Sequence, residues 1–468
     1  MPFQPAAPHY TLDQIRAMGE RWLSVTVFQH FIAAYLQAEF ERTGKRRRFY
    51  QRLLPPVVIL WLMLYQRLQA DHSCDAAVSA FVSSGWTQAG WQGSDSTSAY
   101  CQARQRLPLA VVAQSLTHAA GCLRAELGAA ALWCGRQVAL IDGSTFRLAA
   151  TNDLHAHYGA SHNQHGENHW PIMRILAAFH LYSGGVEAVV EAPYSCGELS
   201  LAVTLLRAAA PGWIWVGDAN FGAYRIAQVA RHHQQDVVVR MRTDRVQRWI
   251  RHQPMRSGED RAVSWSGANN QHTEPGLPAP DIAGRLLYVQ VERDGFRPMD
   301  VYLFTTLTDR LVYSTQDILA LYARRWNVEL NLRHLKTTLD MEELHGKSVD
   351  IVRKELLVGL LAYTLIRGVM GLAALQAHLP PLALSFVRCA RRILASAAHL
   401  ASAASPEQLR QRWDLLLQRL AKCRVPIRKK ARHEPRYVWG KPRVYPTIKG
   451  SREQARIDEA AKWALPNS

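Results

Sequence analysis

The sequence predicts an α/β protein whose core carries a β-rich insertion and is flanked by helical regions at both ends. Three observations predict it. Strand-like runs at Gln137 to Ile141, Met173 to Tyr182 and Val186 to Ala192 are followed by alternating helix and strand patterns: Glu198 to Ala209, Trp213 to Gly217, Gly222 to His233 and Asp236 to Met241. From Thr11 to Ala130 and from Ala373 to Leu420 the Leu and Ala periodicity is helical, with no convincing strand. Between Thr243 and Thr306, turn formers at Ser257-Gly258, Gly267 to Asn270 and Pro275 to Pro280 separate two alternating runs, Arg285 to Glu292 and Met299 to Phe304.

The 468 residues suffice for two to four domains, and 48% hydrophobic content argues for a folded core. Lys and Arg outnumber Asp and Glu by 56 to 38, a formal charge of +18, which favours a polyanionic partner. The seven cysteines are scattered, with no C-x2-C pair, so neither a disulfide framework nor a cysteine-rich zinc site is indicated. MPFQPAAPHY does not read as a signal peptide, and the apolar run Leu356 to Leu372 is interrupted by Arg367, so no membrane span and a soluble cytoplasmic protein are expected.

Taken in order, the helical N-terminal region holds the basic cluster Lys45-Arg46-Arg47-Arg48-Phe49-Tyr50, which is either a solvated loop or a phosphate contact. A capped helix follows Ser94-Asp95-Ser96-Thr97-Ser98, carries Arg104 and Arg106, and ends near Pro108. Gln137 to Ile141 leads into Asp142-Gly143-Ser144, which places a carboxylate where a strand gives way to a loop. Ser183-Gly184-Gly185 is a hairpin signal between the next two runs, and the strand from Trp213 ends in Asp218. Three strands joined by hairpins and then alternating helix and strand describe the RNase H-like order. Five histidines between His155 and His169 match no standard zinc spacing and have no nearby Cys.

The stretch from Ser314 to Lys336 reads as one long amphipathic helix. Ser314 and Asp317 form a capping-box-like start, and Ile318, Leu321, Val328, Leu332 and Leu335 recur at helical spacing. At about 100° per residue, Tyr322, Arg325, Glu329 and Lys336 fall within roughly 60° of one another. Glu329 is thereby flanked by cations on both sides. Gly346-Lys347-Ser348 lacks the first glycine of a phosphate-binding loop, so no nucleotide cofactor is expected. The tail beyond Arg424 is basic, with Tyr437, Trp439 and Tyr445 interleaved, and suits either solvent or nucleic acid.

The pattern Y-x2-R-x3-E-x6-K, met by Tyr322, Arg325, Glu329 and Lys336, resembles the signature of DDE transposases of the bacterial insertion sequence family 4. The words I-D-G-S-T around Asp142 and V-G-D-A-N-F-G around Asp218 resemble that family's two aspartate motifs, and the likeness runs from about Ser94 to Arg452. The resemblance implies an RNase H-like core with its first and second acids at the ends of the first and fourth strands. It implies Asp142, Asp218 and Glu329 as catalytic metal ligands, and Tyr322, Arg325 and Lys336 as contacts to DNA phosphate. Oxygen-only ligation favours two Mg2+ (or Mn2+) ions. Tyr158-Gly159, Pro171 and Arg174 fall where the family has a loop facing DNA, and the family's insertion would help hold a DNA end.

The implied organisation is a helical N-terminal DNA-binding region (1–130), a catalytic core (131–346) with the insertion at about 243–306, a helical C-terminal region (347–423) and a basic tail (424–468). The implied activity is strand cleavage at insertion-sequence ends and strand transfer, that is, cut-and-paste transposition of double-stranded DNA by a homodimer associated with the bacterial nucleoid. Two other readings compete with it: an inactive transposase-derived DNA-binding protein, and an RNase H-like nuclease that cuts without strand transfer.

Overall fold

A computed structural model describes residues 56–69, 71–83, 96–163, 166–251, 253–267, 273–291, 299–401 and 405–426, with isolated positions besides. The Lys45 to Tyr50 cluster and most of the basic tail lie outside the described residues. Before the sheet come α1 (Pro56–Leu68), α2 (Cys74–Ser83), α3 (Thr97–Arg106) and α4 (Leu109–Leu127). As the sequence suggests, Ser96 caps α3, its side chain accepting the Ser98 N–H at 3.2 Å.

The core sheet contains β1 (Val138–Leu148), β2 (Ala160–Asn163), β3 (Gly166–His180), β4 (Val186–Pro193), β5 (Ile214–Gly217) and β6 (Asp236–Met241). Helices α5 (Asn152–Tyr158), α6 (Glu198–Ala208) and α7 (Tyr224–His232) connect them. β3 pairs antiparallel with β1 and with β4, whereas β5 and β6 run parallel to β1. The β3–β4 turn works through Gly184, whose φ of +69° suits glycine.

The segment expected to be an insertion adds strands to the same sheet. After α8 (Thr243–Ile250), strands β7 (Asp260–Trp265), β8 (Ile282–Val291) and β9 (Met299–Thr305) extend it in the order β2-β3-β1-β5-β6-β9-β8-β7. Among its described aromatics, Trp265 and Phe304 are buried and Trp249 packs on both.

The chain then forms α9 (Thr315–Ala323), α10 (Trp326–Arg333), a π-helical turn at His334–Thr338, the short β10 (Glu343–Leu344) paired with β1, and α11 (Val349–Gln376). Helices α12 (Phe386–Ala401) and α13 (Pro406–Ala421) follow. α11 passes the length and apolarity test for a membrane span, but 89% of its most apolar window is buried inside the protein.

The result is a three-layer arrangement that strand alternation explains. Val138, Leu140 and Phe146 of β1 face α9, α10 and α11, sharing a cluster with Ile318, Val328, Leu332 and Leu361. Ala139 and Ile141 face the opposite way, toward Leu201 and Leu205 of α6 and Ile226 of α7.

Two expectations need correction. β1 does not stop at Asp142; it runs to Leu148, because nine consecutive pairs with β3, from Ala139 to Arg147, override the turn propensity of Asp142-Gly143. The helix from Ser314 is also not continuous. At Arg324 and Arg325 the N–H groups bond to carbonyls three residues back, Leu321 and Tyr322, which tightens the chain into a 3-10-like turn between α9 and α10.

Candidate active site

The site is organised by a difference in strand length. β5 pairs with β1 only over Val138, Ala139 and Leu140, and it ends at Gly217, whereas β1 continues through Asp142 and Gly143. A notch results beside β1 beyond the end of β5, and Asp218 stands at its rim. Asp142 sits within β1 opposite Ala177 of β3, and its Oδ1 accepts the Gly143 N–H at 2.8 Å. Asp218 Oδ1 accepts the Asn220 N–H at 2.9 Å, which fixes the carboxylate at the turn into α7.

Burial pushes the Asp142 carboxyl up to about 6; the like charges of Asp218 and Glu198 add to the rise, while the Gly143 N–H and the Arg325 guanidinium oppose it. Asp218, Glu198 and Arg325 are thus all within electrostatic reach of Asp142. Burial likewise pushes the Tyr322 phenol up to about 12, with Arg325 and Arg240 opposing and Asp218 adding. The tight turn at Arg325 explains the Tyr322 to Arg325 proximity, since residues three apart eclipse in 3-10 geometry.

Arg325 is 7% exposed, stacks over the Trp326 ring with its guanidinium carbon 4.4 Å from the centroid, and donates from Nη2 to Glu329 Oε1 at 3.0 Å. Glu329 is thus linked to the site through Arg325. Ser314 caps α9 as expected, accepting the Asp317 N–H at 3.1 Å. On the far side of α10, buried Asn331 accepts from Arg367 of α11 at 2.9 Å, which ties the Glu329 helix to the core.

Lys336 is placed differently from its signature partners. It lies on the π-helical turn with its ammonium 5.5 Å from the Phe146 ring centroid, and burial lowers its pKa against the opposing charge of Glu342. Phe146 is four residues beyond Asp142 on the same face of β1, roughly 13 Å along the strand. The structure therefore brings Asp142, Asp218, Tyr322 and Arg325 within electrostatic reach of one another, joins Glu329 to them only through Arg325, and sets Lys336 further along the same face.

Sequence reasoning missed three neighbours. Arg240 of β6 acts on Tyr322, Glu198 opens α6 beside Gly143, and Asn220 hydrogen-bonds Glu198 Oε2 at 2.6 Å. An acidic residue in a helix's first turn reads as a complement to the helix dipole, which hides any second role for Glu198.

A family model described as a transposase DDE domain matches residues 133–365, the segment that carries all six signature residues. The chain belongs to the DDE transposase family. It is similar to the transposase InsG for insertion sequence element IS4 of Escherichia coli (strain K12), 26% identical over 361 residues that span 75% of this chain and 78% of that one. It is also similar to a putative transposase InsZ of the same organism, 30% identical over 165 residues, 35% of this chain and 52% of the other. Among solved structures, the piggyBac transposase synaptic complex with hairpin DNA matches over 87% of this chain and 85% of that one, at 9% identity and a TM-score of 0.39, too distant to transfer any residue's role.

DDE transposases generally use divalent metal ions. The donor chemistry of this transposase fits such ions: the acids at the notch offer only carboxylate oxygens, and Asp142 is crowded by like charge that a cation would relieve. Among the described residues, no three His, Cys, Asp or Glu side chains stand together as a metal-holding group. Glu329 is the acid that is turned elsewhere, toward Arg325.

Proposed function

We propose that this transposase is a metal-dependent enzyme that cleaves DNA strands at the ends of its insertion sequence and transfers them to a target. The observation that carries the reading is the convergence of Asp142, Asp218, Tyr322 and Arg325 at the notch beside β5, with Glu329 hydrogen-bonded to Arg325. The hairpin strands followed by parallel β5 and β6 support an RNase H-like core.

In this reading Asp142, Asp218 and Glu329 would hold two Mg2+ (or Mn2+) ions, which when bound supply charge to activate water and to neutralise the leaving oxygen. Arg325 and the Tyr322 hydroxyl hold the scissile phosphate and orient it for in-line attack, and positioning is a large part of phosphoryl-transfer catalysis. Lys336, on the π-helical turn beside Phe146 of β1, meets the DNA backbone beyond the cut. Water attacks first, and the freed 3′-hydroxyl then attacks a target phosphodiester. No nucleotide is consumed, because transesterification conserves the bond.

The substrate is double-stranded DNA, which matches the formal charge of +18, and two ends joined in one assembly require a homodimer. The helical region before β1 and the β7–β9 extension hold the DNA on either side of the core, and the site of action is the bacterial cytoplasm. The test is cleavage of a supercoiled plasmid carrying the DNA that flanks the gene, with Mg2+, by wild type and Glu329→Gln. Cleavage at the ends that the variant loses while still binding them supports the reading. A wild type that binds the ends and never cuts makes this a DNA-binding relative, and cleavage without joining makes it a nuclease.

A further inference from the structure

We propose that Glu198 is a fourth carboxylate of the active centre, directed at the same divalent cations as Asp142 and Asp218. The inference rests on the proposed function and adds a ligand that the signature does not contain.

Three observations carry it. The first is the notch. Where β5 ends, β1 loses its neighbour on that side, so a side chain from the α6 and α7 layer has a way past the edge of the sheet toward the acids. Glu198, in the first turn of α6, is the residue at that opening.

The second is the glycine beneath it. Strand alternation points position 143 toward the α6 layer, opposite to Asp142. A Cβ built on Gly143 would stand 2.5 Å from the carboxylate carbon of Glu198, closer than real Cβ atoms come. Any other residue here would push the carboxylate out. Gly143 has extended backbone within a paired strand, so no positive φ demands a glycine, and the space it leaves is filled by the acid.

The third is how the carboxylate is held. Asn220 Nδ2 donates to Glu198 Oε2 at 2.6 Å, while the Asn220 backbone N–H donates to Asp218 Oδ1 at 2.9 Å. One residue thus orients two acids. Among the described residues no Lys, Arg or His forms an ion pair with Glu198. Glu198 is thus an oriented, half-exposed acid with no protein ion-pair partner, next to Gly143 and tied through Asn220 to Asp218, and so open to a cation at this end of the notch.

The competing role is a structural clamp in which Glu198 only ties α6 to the loop before α7. Glu198→Gln separates the two, because its amide oxygen still accepts from Asn220 but carries no charge. The full-length chain, stripped of metal and without DNA, is titrated with Mn2+ while free Mn2+ is followed by electron paramagnetic resonance. Wild type is compared with Glu198→Gln, Gly143→Ala and Asp142→Asn. Glu198→Gln is expected to weaken Mn2+ binding about tenfold, with an unchanged melting temperature in chelator. Gly143→Ala, which displaces the carboxylate without removing it, weakens binding in the same direction and decides the matter if Glu198→Gln does not fold. Unchanged Mn2+ affinity in both variants, while Asp142→Asn loses it, overturns the role of Glu198 and leaves the proposed function standing. Unchanged affinity in Asp142→Asn as well overturns the metal reading of the whole site.

Discussion

The Nη2 of Arg325 lies 3.0 Å from Oε1 of Glu329, one turn apart across the junction of α9 and α10, with the arginine buried and the carboxylate side chain 43% exposed. The guanidinium and the acid are therefore partners before any DNA arrives. Under the proposed function, a phosphate that draws on Arg325 would compete for that partnership and leave Glu329 free for a cation.

This predicts opposite effects from one substitution. Arg325→Ala should tighten Mn2+ binding without DNA by up to about fivefold, since an i,i+4 pair whose carboxylate is solvent-exposed is worth about 1 kcal/mol. The same variant should lower end cleavage roughly 100-fold or more, because the phosphate loses a preorganised donor. Arg325→Lys should recover little cleavage, as one ammonium cannot hold a phosphate and a carboxylate in a fixed fork. Weaker Mn2+ binding in Arg325→Ala would show that the pair does not compete with metal.

Asp142 gives a pH signature. Its folded pKa of about 6 lies above the ordinary carboxylate value, so between roughly pH 4 and 6 the native protein binds more protons than the unfolded chain, and stability falls as pH rises through that window. Ionised Asp142 then costs the metal-free protein on the order of 1–3 kcal/mol above pH 6. Asp142→Asn should raise the melting temperature in chelator at pH 8 and leave it unchanged near pH 3.5. In wild type, Mn2+ affinity should drop as pH falls through 6. Equal melting of the two proteins at pH 8 would remove the burial argument.

Much of this site is legible in the sequence because each signature residue has a fixed local spacing. Tyr322, Arg325 and Glu329 fall on one stripe under helical periodicity, and the tight turn that replaces continuous helix brings the first two closer still. Asp142 was readable as a strand-associated acid but not as a mid-strand one. Asp-Gly carries a turn signal, and only the long ladder with β3, a non-local pairing, overrules it. Lys336 departs for a similar reason: the π-helical turn at His334 to Thr338 changes the angular step that α-helical spacing assumes. Glu198 and Arg240 are brought in purely by strand order and strand length, which no local pattern encodes.

The insertion is locked to the signature helices through Asp260. Arg285, 1% exposed, pairs with Asp260 and also donates to the carbonyls of Leu307 at 3.2 Å and Tyr313 at 2.6 Å, while Thr315 at the start of α9 donates to Asp260 at 2.7 Å. Burial alone would raise Asp260, but hydrogen bonds from Arg285, Arg310 and Thr315 pull it down to about 2. Its contribution is present above about pH 4 and lost as pH falls toward 2. Asp260→Ala leaves a buried guanidinium unpaired and should cost about 3–5 kcal/mol in a denaturant melt at pH 7. A loss under about 1 kcal/mol would mean that Arg285 is satisfied by the carbonyls alone.

Asn331 anchors the back of the Glu329 helix. It is 2% exposed, two residues beyond Glu329, and accepts from Arg367 Nη2 at 2.9 Å, while Arg367 Nε donates to the Tyr363 hydroxyl at 2.8 Å. Arg367 lies in the middle of α11, so this bond fixes the rotation of α10, and with it the direction of Glu329, against a largely buried helix. Asn331→Ala should cost about 1–3 kcal/mol, because a buried donor loses its acceptor. Well below its melting temperature the variant should bind DNA ends as wild type does but cleave them more slowly, a loss in the rate of the bound complex rather than in affinity. Asn331→Asp, which restores an acceptor for Arg367, should recover most of that rate. If both variants fold and cleave at the wild-type rate, the Arg367 bond stabilises the helix without aiming Glu329.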